Sequence, residues 1–98
     1  RILDEEISRY LSMERAKQVA PLITALRENA NSVRGEILKQ AQKRLAKGAD
    51  GQEVLEYATA ALMKKMLHNP SVKLREAGEN SDAEIIAAAR ALFGLEEE

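Results

Sequence analysis

The residue best suited to chemistry in this 98-residue chain is His68, its only histidine. An imidazole transfers protons and binds metals near neutral pH, but a zinc site needs several convergent histidine, cysteine or carboxylate ligands. The chain has no cysteine, which excludes disulfides, thiolate metal sites and a thiol nucleophile. We therefore expect His68 to end a helix or pack at a corner. A functional role for it is the alternative, and no catalytic, cofactor-binding or metal-binding residue is predicted.

Carboxylates and lysines are the other candidates for chemistry. Asp4, Glu5 and Glu6 are consecutive, so on a helix they point in different directions, whereas acid–base catalysis needs two carboxyls in one cleft. The basic residues form a row and a pair: Lys39, Lys43 and Lys47 with Arg44 beside them, and Lys64 with Lys65. Such clusters bind nucleic-acid phosphates through charge, but aromatic side chains for base stacking are scarce. We expect solvated faces, with a contact to RNA as the alternative.

The composition indicates a folded domain with a helical, aliphatic core. Hydrophobic residues make up 45% of the chain and charged residues 32%, with only two Tyr, one Phe and no Trp. The net charge of −1 gives the chain as a whole no nucleic-acid footprint. Charge is nevertheless uneven, because residues 19–47 carry a local +4 and residues 70–98 a local −4. No membrane-spanning or signal-peptide pattern is present, and the start at Arg1 suggests an internal fragment.

The elements that must position these residues are helices. Apolar residues recur every three or four positions and no alternating strand pattern occurs, so we predict an all-α bundle of about five helices with one long central helix. Prolines at 21 and 70 mark two helix starts, Asp50 and Ser81 open capping boxes, and Gly48, Gly78 and Gly94 end helices. The predicted helices span residues 3–16, 21–47, 50–68, 70–77 and 82–93.

The second of these helices carries a long apolar seam: Val19, Ile23, Leu26, Ala30, Val33, Ile37, Ala41 and Leu45. A helix over residues 21–47 is on the order of 40 Å long, whereas a compact domain of this size is roughly 30–35 Å across. A second copy of the chain would cover the part of the apolar seam that extends beyond a compact domain. The predicted dimer interface is Leu22, Ile23, Leu26, Ala30, Val33, Ile37, Leu38 and Ala41. The third helix is predicted to have one apolar face, with Val54, Leu55, Ala58, Leu62, Met66 and Leu67.

Three segments carry a family resemblance. They are residues 19–27 (VAPLITALR), residues 65–75 (KMLHNPSVKLR) and residues 92–95 (LFGL). In this order and spacing they resemble the C-terminal dimerisation domain of glutamyl-tRNA reductase over nearly the whole chain. The chain departs from the family pattern at Leu22, where Thr is common, at Lys64, where Asn is common, and at Gly35, where a helix former is expected.

The resemblance implies a homodimerisation domain over residues 1–98, with residues 1–18 as the end of a long connecting helix. The parent would be a cytoplasmic, V-shaped dimer that binds glutamyl-tRNA and uses NADPH to make glutamate-1-semialdehyde for tetrapyrrole synthesis. Its nucleophilic cysteine and NADPH domain would lie upstream, so this fragment is expected to be non-catalytic and to bind no cofactor. Regulatory proteins are further candidate partners. The alternatives are a monomeric helical adaptor, a nucleic-acid-binding helical domain and, least favoured, an independent enzyme.

Overall fold

The computed structural model describes residues 2–95, and of Ile2 the backbone only. These residues form three helices: α1 over Ile2–Ala46, α2 over Gly51–Glu79 and α3 over Ala83–Leu92. No strand occurs among them, so the all-α prediction is confirmed. The prediction of five helices is wrong, because two pairs of predicted helices are single continuous helices. The last three glutamates of the chain lie outside the described residues.

Both prolines lie inside helices rather than at helix starts. Pro21 is within α1 and Pro70 within α2, so neither the predicted break before Pro21 nor the corner at residues 68–70 exists. An interior proline removes one backbone hydrogen bond and crowds one carbonyl. A complete break leaves about four carbonyls and four N–H groups without helical partners. In stretches rich in the strong helix formers Ala, Leu, Met, Lys and Glu, a continuous helix with one missing hydrogen bond therefore costs less free energy than a break.

The helix ends follow local capping chemistry. The Asp50 carboxylate accepts from the Glu53 N–H at 3.3 Å, as predicted. Gly48 has φ +91, and the Ala49 N–H donates to the Arg44 carbonyl at 3.0 Å, so the predicted glycine cap of α1 is confirmed. Gly94, with φ +65, ends α3 as predicted.

Two predicted ends of α2 and α3 are wrong. α2 runs past Gly78 to Glu79, and the residue with positive φ after it is Ser81, at +55. The Asp82 N–H then donates to the Ala77 carbonyl at 2.8 Å. The N-cap of α3 is Asp82, whose carboxylate accepts from the Ile85 N–H at 3.2 Å, and not Ser81. The capping-box pattern predicts Ser81 as the N-cap of α3. In the structure Ser81 instead lies in the turn, one residue before the N-cap Asp82.

The chain divides into two units, one ending at Gly35 and the other starting at Glu36. In the described part of the first unit there is only helix, and none of its side chains is buried. The second unit contains the end of α1 together with α2 and α3. Its core is thin, since the buried residues are Ile37, Ala41, Val54, Ala77 and Ala89. Three of these five are alanines, and both units carry large apolar side chains that are exposed.

Candidate subunit interface

The first unit presents an exposed apolar stripe on α1. Leu22, Ile23 and Leu26 are 69%, 49% and 63% exposed. At about 100° per residue these three side chains fall within roughly a 100° arc of the helix, which is the width of an apolar face that packs on another element. These three members of the predicted interface are therefore open to a partner.

The remaining members of the predicted interface differ in exposure. Ala30 and Val33 are half-buried, and Leu38 is exposed. Ile37 and Ala41 are each only 7% exposed within the single chain, so they offer little area to a second molecule. The seam that appears continuous in the sequence thus consists of an open part and a part covered by the same chain.

The end of α1 is covered by α2, and two contacts give the direction of the pairing. The Arg44 guanidinium lies 3.5 Å from the centre of the Tyr57 ring, and Lys65 Nζ lies 4.0 Å from a Glu36 carboxylate oxygen. The numbers decrease along α1 as they increase along α2, so the two helices are antiparallel. Ile37 lies along α1 between these contacts, which explains its burial. A substitution there would therefore disturb this helix pair directly.

α2 has two apolar faces where the sequence predicted one. Val54 is buried, whereas the adjacent Leu55 is 63% exposed, because neighbouring residues lie about 100° apart around a helix. Leu62, two turns after Leu55, is exposed on the same side. The sequence feature that could have revealed this second face is the seven-residue spacing of Leu55 and Leu62. It was missed because the apolar pattern of the sequence places both leucines and Val54 on one broad face. It adds a second open surface for a partner.

A shallow apolar groove lies between the C-terminal half of α2 and α3. It has a volume of about 210 Å³ and is lined by Pro70, Lys73, Leu74, Ile85, Ala88, Ala89, Leu92 and Phe93. Ile85, Leu92 and Phe93 are exposed at its edge. The sequence placed a helix corner at Pro70. In the structure Pro70 instead lines this groove from within the continuous helix α2.

The residues first considered for chemistry are all exposed. His68 is exposed within α2, so its predicted role at a helix end is wrong. Asp4, Glu5 and Glu6 are exposed near the start of α1. Within residues 2–95 no three metal-ligating side chains converge, and no helix there is both long and apolar enough to cross a membrane. Lys39, Lys43 and Lys65 line a common groove, which the sequence alone did not bring together.

Comparison with known proteins gives a consistent match. Residues 1–95 match the family model described as glutamyl-tRNAGlu reductase, dimerisation domain. A glutamyl-tRNA reductase of Neisseria gonorrhoeae is 35% identical over 97% of the chain, which corresponds to 23% of that relative. The same values hold for a glutamyl-tRNA reductase of Neisseria meningitidis serogroup B.

A more distant relative agrees with these two. A glutamyl-tRNA reductase of Nitrosococcus oceani is 33% identical over the same shares of the two chains, 97% and 23%. The chain thus spans about a quarter of the length of the curated relatives that it matches. No solved structure matches it.

Proposed function

The chain belongs to the dimerisation-domain family of glutamyl-tRNA reductases, and we propose that it joins two copies of a longer protein of that kind into a homodimer. The chain contributes assembly, and the chemistry belongs to other parts of the longer protein. The observation that carries the proposal is the amount of apolar surface that a single chain leaves exposed on both of its units.

The exposed area can be compared with that of an ordinary monomer. The single chain exposes 8689 Å², whereas a folded monomer of its mass exposes about 5,500 Å². The excess is about 3,000 Å² per chain, or about 6,000 Å² for two chains, which is enough to supply the total of about 2,000–5,000 Å² that a permanent interface buries over both partners. A second copy of the chain is the partner that the family name implies.

The predicted interface residues enter the proposal according to their exposure. Leu22, Ile23 and Leu26 provide the open apolar area on α1, and Leu38 adds to it. Ala30 and Val33 are proposed to line the same contact, since small or half-covered residues let a second helix approach. Ile37 and Ala41, which the chain itself covers, would support the interface by holding α1 against α2 in each subunit.

For the longer protein we propose the NADPH-dependent reduction of glutamyl-tRNA to glutamate-1-semialdehyde, in the cytoplasm. A Rossmann-type dinucleotide site needs a strand, a glycine-rich turn and a helix in succession, and residues 2–95 provide helices only. The described residues therefore do not fit NADPH, and the proposal places the cofactor elsewhere in the longer protein. Residues 1–98 would act as a single dimerisation domain, in which residues 1–18 continue the connecting helix from the preceding part.

Sedimentation equilibrium of the chain over a range of concentrations tests the proposal. We expect a two-chain mass, and a melting temperature that rises with protein concentration because unfolding is coupled to dissociation. A stable one-chain mass at high concentration, with a melting temperature independent of concentration, would instead identify a monomeric adaptor and refute the proposal.

A further inference from the structure

A basic groove runs between the end of α1 and the first half of α2. It has a volume of about 400 Å³ and is lined by Glu36, Ile37, Lys39, Gln40, Lys43, Tyr57, Ala61 and Lys65. All of these residues belong to the second unit. The groove is therefore a feature of one antiparallel helix pair.

Positive charge in this groove exceeds negative charge. Three lysines line it against a single acid, Glu36, and that acid lies 4.0 Å from Lys65. Lys39 and Lys43 form no ion pair with any described residue. Their ammonium groups are therefore available to an anion from outside the chain. Lys47, four residues after Lys43, is exposed in the turn that follows α1.

Two of the remaining lining residues supply neutral hydrogen-bonding groups. The Gln40 amide and the Tyr57 hydroxyl both donate hydrogen bonds and line the groove. Arg44 lies over the Tyr57 ring, with its guanidinium carbon 3.5 Å from the ring centre. This cation–π contact occupies one face of the Tyr57 ring. The groove thus offers positive charge and hydrogen-bond donors.

We propose that this groove binds the phosphate backbone of an RNA. Lysines four residues apart on a helix stand about 6 Å apart along its axis, which is similar to the spacing of successive phosphates along one strand. Binding by charge without base stacking fixes position and not sequence. The choice of RNA rests on the proposed function, in which the longer protein acts on a tRNA. The groove would hold part of that tRNA away from the reacting end.

Fluorescence anisotropy with labelled unfractionated tRNA tests the proposal on the whole chain. If three lysines each neutralise one phosphate, the binding constant should fall about 40-fold between 50 and 200 mM salt. In the double variant Lys39→Ala/Lys43→Ala, with one lysine left, the same salt change should reduce binding only about 3- to 4-fold. Binding at 50 mM salt should also be weaker than for the native chain.

A matched control removes the same charge elsewhere. Lys17 and Lys73 each lie within 4 Å of a glutamate on their own helix, and neither lines the basic groove. The variant Lys17→Ala/Lys73→Ala should keep the native affinity and the native salt dependence. Equal losses in the two double variants would show nonspecific attraction and overturn the proposal, as would a native chain that fails to bind tRNA at 50 mM salt.

Two further measurements distinguish RNA binding from binding of an acidic protein segment and from a role in the subunit contact. Polyglutamate that binds as tightly as tRNA, and through the same two lysines, would assign the groove to an acidic protein segment and overturn the RNA proposal. Sedimentation of Lys39→Ala/Lys43→Ala should give the native mass, and a change of mass would assign these lysines to the subunit contact instead. A native chain that binds tRNA but sediments as a monomer would refute only the dimer proposal.

Discussion

Leu26→Ala is the substitution that tests the subunit interface most directly. In the single chain the Leu26 side chain is 63% exposed. Complete burial of a leucine is worth about 1.5–3 kcal/mol, so burying the exposed fraction is worth about 1–2 kcal/mol per subunit. The residue occurs twice in a two-fold dimer. Its loss should therefore weaken association by about 2–4 kcal/mol, which raises the dissociation constant roughly 30- to 1000-fold.

The measurement is sedimentation equilibrium of the variant and native chains at matched concentrations, with far-ultraviolet circular dichroism to report helix content. Alanine is the strongest helix former, so a loss of dimer cannot be attributed to a weaker helix. Glu28→Ala is the matched control, because Glu28 is exposed and lies about 200° around the helix from Leu26. An unchanged dissociation constant for Leu26→Ala, or an equal rise for Glu28→Ala, would show that the stripe on α1 is not the contact.

Three further substitutions test the helices themselves. Pro21→Ala should restore a backbone hydrogen bond inside α1 and stabilise the chain by up to about 3 kcal/mol; an unchanged melting temperature would contradict a helix that continues through residue 21. Gly35→Ala should stabilise the chain by about 0.5–1 kcal/mol, measured by urea unfolding, because nothing lies within 4 Å of the added Cβ. If the substitution instead weakens the dimer, the second copy approaches α1 closely at residue 35. Asp50→Ala removes the cap on the Glu53 N–H and should cost about 0.5–2 kcal/mol by the same unfolding measurement.

The helical class and several helix ends could be predicted from the sequence because local chemistry decides them. Asp50 caps α2 with its own side chain, and Gly48 and Gly94 adopt positive φ where α1 and α3 end. Each of these depends on residues within one helical turn.

The two prolines were misinterpreted because their effect depends on a comparison of two states. Proline disfavours a helix interior, and Asn69 before Pro70 has the composition of a helix start. The alternative to an interrupted helix, however, is two new ends with unsatisfied backbone groups. The sequence rule describes the free-energy cost of one proline inside a helix. The structure reflects that cost compared with the cost of the unsatisfied backbone groups at two new helix ends. Continuous helices at Pro21 and Pro70 are the result.

The sequence also could not show which apolar residues the chain covers itself. Ile23 and Ile37 occupy equivalent places in one repeating seam, yet Ile23 is exposed and Ile37 is buried. The difference arises only when α2 turns back along α1 after Gly48 and contacts it at Arg44 and Glu36. Periodicity defines a face of a helix, but the length and direction of the next helix decide how much of that face is covered.

The division of apolar surface favours a second copy over an unrelated partner. Exposed apolar side chains lie on α1 at Leu22 and Leu26, on α2 at Leu55, and at the end of α3 at Leu92 and its C-cap Phe93. A two-fold axis relates identical surfaces, so every surface that one subunit presents is also available from the other. Each exposed apolar surface of one copy therefore has an identical surface on the other copy as a possible partner. Because only five of the residues that the structure describes are buried, we expect the folded state of each subunit to depend on association with the second copy.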